Sequence, residues 1–435
     1  MKRIIAFMLA ALLVLSLAAC QEAPAETTVA PVETTAPPTE TTAAPTETTA
    51  PVETEAPTEP LTPEEQILQE RRNTVLEYMR AQSTILWVAD ESFDYEIPIK
   101  RDYHLSIVAG RVYQGLPYTF ASSALGSFLE YSTGQDEKGI HSITGLVTDA
   151  LQGNRGESRI GIDCASAVAL AWSQIGASIT KSGTFTMCED NGYLPVGGYE
   201  NDPVSNENTA GVAAANGMDV MYAAYAQLQP ADGLVKYGAS RGSHAYLVEN
   251  IQVAYMENGS IDGMNSYIEV LDQASSAFKE QALVWNEELG MEVCRISGKP
   301  RKYSFRTMFT EGYLPITCKE LIDPSPLPEP EFTDTEAVFQ KDTLLKGTIN
   351  CNWWIDAVTI IISDPQGSIV QQAAATTIRY ENRTFHMEQF ITDLPGAIRG
   401  SVDPAALASG NYHCTVVCRL ATGEEFTVRD FDFTV

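Results

Sequence analysis

Cys164 lies in the stretch GIDCASAVALAWSQIG, residues 161–176, directly after an aspartate and at the head of a run of small and apolar residues. Two roles compete for such a residue. A free cysteine packs as a small hydrophobe. A cysteine in the first turn of a helix instead sits beside the positive end of the macrodipole, which draws its thiol toward the thiolate. The pattern predicts a helix that starts at Cys164, is capped by Asp163 and is closed by Gly176. Nearly every side of it is apolar or small, so it should be covered all round. Ala165, Ser166 and Ala167 would leave room above the sulfur. Packing alone accounts for the helix, but not for a cysteine in its first turn.

A thiolate nucleophile needs a base within hydrogen-bond reach. The region offers His104, His141 and His244. His244 opens the apolar strand HAYLVENIQV after LQPADGLVKYGASRGS, a strand followed by a polar turn, and is the preferred base. His104 belongs to a separate strand ahead of the nucleophile, YHLSIVAG, and His141 is predicted in a loop. The residue that orients the imidazole should follow on the next strand, SYIEVLDQASS, where Asp272 and Gln273 are both candidates. Adjacent strand residues point to opposite faces, so only one of them can serve. Asp272 is the expected member of the triad, with Gln273 in support.

GIDCASAVALAW, LQPADGLVKY and SHAYLVENI together resemble the NlpC-type papain-like cysteine peptidases that cut bacterial cell-wall peptides, and the related CHAP amidases. That family has an Asp-Cys-Ser opening a helix, a Pro-Gly-Asp strand and a histidine opening the next strand. YQGLPYTF resembles its Gly-x-Pro-Tyr segment, which would place Tyr118 near the site. The resemblance covers about half of residues 111 to 280. Ala165 stands where the family has serine, and PADG stands for Pro-Gly-Asp. The stretches HSITGLVTDALQGNRGESR and YLPVGGYENDPVSNENTAGVAAANG are expected to be substrate-side insertions or lids. The resemblance implies an α+β papain-like fold for this part of the chain.

Elements outside this core set the organisation. Residues 1–20, MKRIIAFMLAALLVLSLAAC, have a charged start, an apolar stretch short for a bilayer span, and a Leu-Ala-Ala-Cys end. This resembles the lipobox of bacterial lipoproteins and implies lipidation of Cys20 after cleavage. Residues 21–61 are a near-repeat of Thr, Pro, Glu and Ala that cannot bury enough surface to order itself. At ~3.1 Å per residue in polyproline form, some forty residues would reach on the order of 100 Å. Thr62-Pro63-Glu64-Glu65 then forms a helix start with a capping box. Ile67, Leu68, Val75, Leu76, Met79 and Ile85 follow at helical spacing. The chain carries 57 acidic against 28 basic residues, a net charge of −29, which argues against nucleic acid as a partner.

DPSPLPEPEFTD, 323–334, reads as a linker between a 62–322 domain and an all-β segment, 335–435. AVTIIISDPQGSIVQQAAA is two strands around a turn, and EEFTVRDFDFTV alternates to its last residue. Tyr412, two residues before Cys414, resembles the tyrosine corner of immunoglobulin-like sandwiches, with Cys351 on a facing strand. Cys351 and Cys414 are expected to face each other, with Cys418 as competitor. Cys188, Cys294 and Cys318 lack metal-type spacing, and calcium or phosphate loops are absent, so no cofactor and no metal are expected.

These readings combine into a cell-surface, lipid-anchored cysteine hydrolase that faces the cell wall and cleaves peptidoglycan peptides. Cys164, His244 and Asp272 would be catalytic, with Tyr118, Asp163 and Gln273 in support. Two rivals remain: a non-catalytic surface lipoprotein whose degenerate NlpC-like domain and sandwich bind glycan or protein, and an acyltransferase using the same thioester chemistry.

Overall fold

A computed structural model describes residues 60–96, 104–119, 122–145, 161–200, 208–238, 242–298, 300–336, 338–340, 343–376, 382–390 and 398–435. The leader, Cys20 and most of the Thr/Pro/Glu segment lie outside them, as does the greater part of the first expected lid. Among the described residues no helix is long and apolar enough to cross a membrane.

The first helix, α1 (Pro63–Thr84), begins at the capping box. The Glu65 amide donates to Thr62 Oγ1, and Glu65 Oε2 accepts from the Thr62 amide at 2.8 Å. Val75, Leu76 and Met79 are buried on its inner face, whereas Ile67 is exposed. The same helix buries two arginines. Arg72 Nη1 meets Asp232 Oδ1 at 3.0 Å, while Arg71 donates to the carbonyls of Glu320, Asp323 and Ser325.

The second helix, α2 (Cys164–Ser173), has all ten residues buried. One side packs on α1 and another on a six-stranded antiparallel sheet. The sheet consists of β1 (Tyr193–Pro195), β2 (Gly233–Lys236), β3 (His244–Gln252), β4 (Tyr267–Leu271), β5 (Arg301–Ser304) and β6 (Leu314–Cys318), in the order β5-β4-β3-β2-β6-β1. The strand β3 is thus internal, and β2 carries four consecutive buried residues. The PADG turn before β2 holds Ala231 at φ +74°, the left-handed region that glycine occupies most easily. Its backbone is fastened from both sides. The Ala231 amide donates to Val248 O, and its carbonyl accepts from Trp172 Nε1, each at 2.8 Å.

A second, mixed sheet brings together residues 282–286, 291–295, 113–114, 86–89, 141–143 and 132–135 in that order around Trp87, Tyr113 and Phe128. His141 therefore begins a strand, His141–Ile143, and not a loop. Its predicted loop position was misread because the short strand owes its pairing to residues 86–89, far away in sequence.

The C-terminal segment is all β. Residues 398–401, 369–376, 355–363, 411–420 and 425–434 form a five-stranded antiparallel sheet in that order, and 332–333, 348–351 and 384–386 form a three-stranded one. Ile349, Cys351 and Phe385 of the smaller sheet share a core with Val358, Ile360, Cys414 and Cys418 of the larger. Tyr412 Oη donates to Ala408 O at 2.9 Å. None of the seven described cysteines is joined in a disulfide. The thiol within charge–charge range of Cys351 is that of Cys418, while the charged neighbours of Cys414 are Asp430 and Arg429. Cys351, Cys414 and Cys418 are all buried in the one core that the two sheets share.

The proline-rich stretch at 323–334 is fastened on both sides. Arg71 takes the carbonyls of Asp323 and Ser325, while Trp353 Nε1 donates to Pro328 O and Asn352 Nδ2 to Glu329 O. The β segment docks on the C-terminal end of α2. Trp353 lies so close over Gly176 (φ +62°) that a Cβ there would meet the ring at 2.5 Å. Gln174 donates to Ala421 O, and Arg383 to Ala177 O. Asp356, 2 % exposed, accepts from the Ala124 amide and Ser127 Oγ and pairs with Arg419 at 2.7 Å, which also meets Glu130. Removing one partner from such a buried array strands the others. Arg419→Met should therefore lower stability by about 3–5 kcal/mol in equilibrium chemical denaturation. A loss below about 1 kcal/mol would place this array in water.

Candidate active site

Asp163 caps α2, its Oδ1 accepting from the Ser166 amide at 2.8 Å. Cys164 is thereby the first helical residue, where the backbone N–H has no carbonyl within the helix to pair with. The small residues behind it do not leave open space. Ala165, Ser166 and Ala167 are all buried, and Ser166 Oγ lies 2.8 Å from Ser122 Oγ. Their small size lets neighbouring backbone close in around the helix start.

The approach to Cys164 is built by pairing with the Gly-Leu-Pro-Tyr-Thr segment. Ile162 donates to Pro117 O and accepts from the Thr119 amide, so Tyr118 bridges to Ile162 in parallel. This close approach demands Gly161. Its φ is +112°, and a Cβ there would stand 2.6 Å from Thr119 Cγ2 and 2.7 Å from Pro117 O. Tyr118 is buried two residues' length from the nucleophile position.

Gln273, 3 % exposed, donates from Nε2 to the carbonyls of Leu116 (3.2 Å) and Ile162 (3.4 Å), and Ser297 Oγ donates to its Oε1. It ties the two approach segments to the end of β4. Gln273 therefore supports the helix start and does not face the imidazole. Asp272 and Gln273 both follow the last residue of β4, Leu271, and both are buried, but on different partners.

His244 is the first residue of β3, the strand that packs on α2. Its Nε2 lies 2.7 Å from Asp272 Oδ1, with the carboxylate 1 % exposed. An acceptor-only carboxylate at Nε2 requires the proton there, which leaves Nδ1 as the lone-pair nitrogen. Tyr246, two residues along β3, sets its ring edge against the imidazole at 4.4 Å. It stacks on Tyr313 at 5.1 Å, and its Oη lies 3.0 Å from Tyr303 Oη. Burial drives the Tyr246 and Tyr313 phenols well above their ordinary range, so both are neutral hydroxyls. After burial, nearby charge at Asp272 and Cys164 adds to the rise at Tyr313.

The other histidines belong elsewhere. His141 is in the second sheet, with Nδ1 3.1 Å from Ser132 Oγ, and burial lowers its pKa. His104 opens the strand His104–Ile107, which pairs with Phe93–Glu96. No group of three or more metal-ligating side chains occurs among the described residues.

Sequence reasoning missed Arg301 and the three tyrosines. Arg301 Nε approaches Asp272 Oδ2 at 2.6 Å as a charge pair without hydrogen-bond alignment. Its position on β5 gave no warning, because RKYS is a short polar strand whose meaning comes only from pairing with β4. A scan against protein-family models and a search of curated proteins found no match to this chain.

Burial raises the thiol pKa of Cys294, Cys318, Cys351, Cys414 and Cys418. Cys188, half-buried and more exposed than the others, is the comparison thiol. Alkylation with iodoacetamide at about pH 6 should label Cys164 at least tenfold faster than Cys188, because only a thiol paired with an imidazolium stays ionised there. Peptide mapping of a brief exposure reads this ratio. Equal rates would remove the thiolate from the site.

Proposed function

We propose that residues 62–322 form a papain-like cysteine hydrolase of the NlpC type that cleaves amide bonds in peptidoglycan stem peptides. The observation that carries the reading is the Asp272 Oδ1 to His244 Nε2 contact of 2.7 Å on a strand packed against the helix that Cys164 opens. The order Cys, His, acid along the chain, and the PADG and GLPYT segments beside them, agree with the resemblance. The immunoglobulin-like reading of 335–435 draws support from the Tyr412 to Ala408 hydrogen bond and from two sheets sharing one core. Lipidation at Cys20 and a long reach from the membrane complete the proposal: an exported protein facing the cell wall.

The chemistry follows from these positions. His244 Nδ1 takes the Cys164 proton, and the thiolate adds to the scissile carbonyl. The oxyanion meets N–H groups at the start of α2. The imidazolium, steadied by Asp272, returns its proton to the leaving amine, and a thioester remains on Cys164. Water, deprotonated by His244, then cleaves the thioester and releases a carboxylic acid with the thiol restored. An amine in place of water would give the acyltransferase outcome. A binding lipoprotein would need none of this geometry.

Protein starting at Leu61 should release new fragments from purified muropeptides, identified by mass analysis. Cys164→Ala and His244→Ala should abolish release. Asp272→Asn should lower kcat at least a hundredfold, toward the ~10⁴-fold typical of amidating a triad aspartate. Gln273→Ala should act on folding, lowering thermal stability by removing the tie to Leu116 and Ile162. Hydroxylamine trapping of an acyl-enzyme distinguishes hydrolase from acyltransferase partitioning. If no wall chemotype yields product and Cys164→Ala behaves as wild type in binding, the enzymatic reading fails.

A further inference from the structure

We propose that Arg301 is a positioning residue of this site: its guanidinium holds Asp272 ionised and in place, so that His244 keeps its proton on Nε2 and offers Nδ1 to Cys164. The inference rests on the hydrolase reading. Its observations are geometric. Asp272 is 1 % exposed at the end of β4 and divides its two oxygens between two partners. Oδ1 faces His244 Nε2 at 2.7 Å, and Oδ2 faces Arg301 Nε at 2.6 Å. Arg301 lies opposite Val270 in the β4–β5 register, so the backbone ladder delivers it beside the carboxylate. Its Nη2 donates to Ser276 Oγ at 2.9 Å and Nη1 to Tyr303 Oη at 3.4 Å, which fixes the plane of the guanidinium.

A carboxylate this buried, facing only a neutral imidazole, would be driven toward protonation by desolvation. A protonated Asp272 can donate, and His244 would then be free to carry its proton on the wrong nitrogen. Arg301 removes that option. Burial works against the guanidinium charge, but Asp272 together with the Tyr303 and Tyr246 hydroxyls outweighs it, so the Arg301 pKa is raised. The guanidinium is thus a fixed positive charge 2.6 Å from Asp272 Oδ2. The groups in contact with Asp272 are His244 from β3 and Arg301 from β5, with Tyr246 against His244, Tyr303 against Arg301 and Tyr246, and Tyr313 stacked on Tyr246. Arg301 is the permanent cation in that set. The neighbouring Lys236, across from His244 on β2, is engaged with Glu311 Oε2 at 2.9 Å.

The test compares Arg301→Met, Arg301→Lys, Asp272→Asn and the double variant Arg301→Met/Asp272→Asn in the protein carrying the C-terminal segment. Its first readout needs no substrate: the pH dependence of Cys164 alkylation. Without the cation, Asp272 takes up a proton over a range where it is otherwise ionised. The imidazolium then loses its counter-charge, and thiolate formation requires higher pH. Arg301→Met should shift the acid limb of alkylation upward by about one pH unit and lower kcat at least tenfold, with KM changed less than twofold. Arg301→Lys should recover the limb to within about half a unit. The double variant should turn over no more slowly than Asp272→Asn, within twofold, because both changes act through one carboxylate. If Arg301→Met does not fold, Arg301→Gln, which keeps a polar head for Ser276, carries the same expectation. An unshifted limb in the neutral variant, an effect confined to KM, or a double variant that loses the product of both factors overturns the proposal. Full activity in Cys164→Ala would overturn the hydrolase reading instead, and the alkylation limb would still report on Arg301.

Discussion

Ten consecutive residues of α2 have no solvent-facing side, and the rest of the fold is arranged to satisfy that constraint. A helix apolar all round is stable only when every face meets protein. Here α1 covers one flank and the antiparallel sheet another, while the approach segment Gly115–Thr119 closes over the N-terminal end and the β segment over the C-terminal end. The small side chains of CASAVALA permit this closeness on every side at once. Replacing Ala by a longer residue anywhere along the helix would push against well-packed neighbours, a type of change that costs about 1–3 kcal/mol. The same enclosure leaves the helix start as the one end where a reactive group meets polar side chains.

Three buried carboxylates are matched to arginines across long stretches of chain. Asp232 faces Arg72 and accepts from Thr317, and Asp356 faces Arg419. Asp272 faces Arg301. The first two arrays are structural: one locks α1 to the turn before β2, the other locks the β segment to residues 124–130. Burial raises the pKa of Asp232 even with Arg72 beside it, which shows how strongly this interior resists charge. Asp272 differs in sharing its carboxylate with a histidine on a strand that packs against the helix of a cysteine. The physics of the pair is common to all three, and only the third partner turns it toward chemistry.

What could be read beforehand was whatever local sequence determines. The Thr62 capping box, the Asp163 cap and the turn at Asp364–Gly367 all depend on neighbours within a few residues. The role of Gln273 was not legible, because its partners Leu116 and Ile162 lie more than a hundred residues away. Arg301 was invisible for the same reason: its meaning arises only when β5 pairs with β4. The proline-rich stretch at 323–334 reads as a linker by composition. Nothing in it announces that Arg71 and Trp353 hold its carbonyls, since the donors lie outside it. Composition reports the absence of regular structure, which is different from freedom to move.

The two ends of α2 connect the β segment to the candidate site. A ten-residue helix spans about 15 Å, so Cys164 stands about that far from the surface on which Trp353, Ala421 and Arg383 press. Trp354 and Ala421 belong to the same continuous core as Val168, Leu170 and Trp172. A contact of this kind transmits rigidity: the helix cannot slide along its axis without displacing Trp353 from Gly176 or breaking the Gln174 to Ala421 bond. If Cys164 is the nucleophile proposed above, an axial error of even 1 Å would lengthen its proton path to His244 beyond a hydrogen bond. The β segment therefore does structural work at the back of the helix, whatever its outer face binds, and its docking through buried charge makes it part of the unit that positions Cys164.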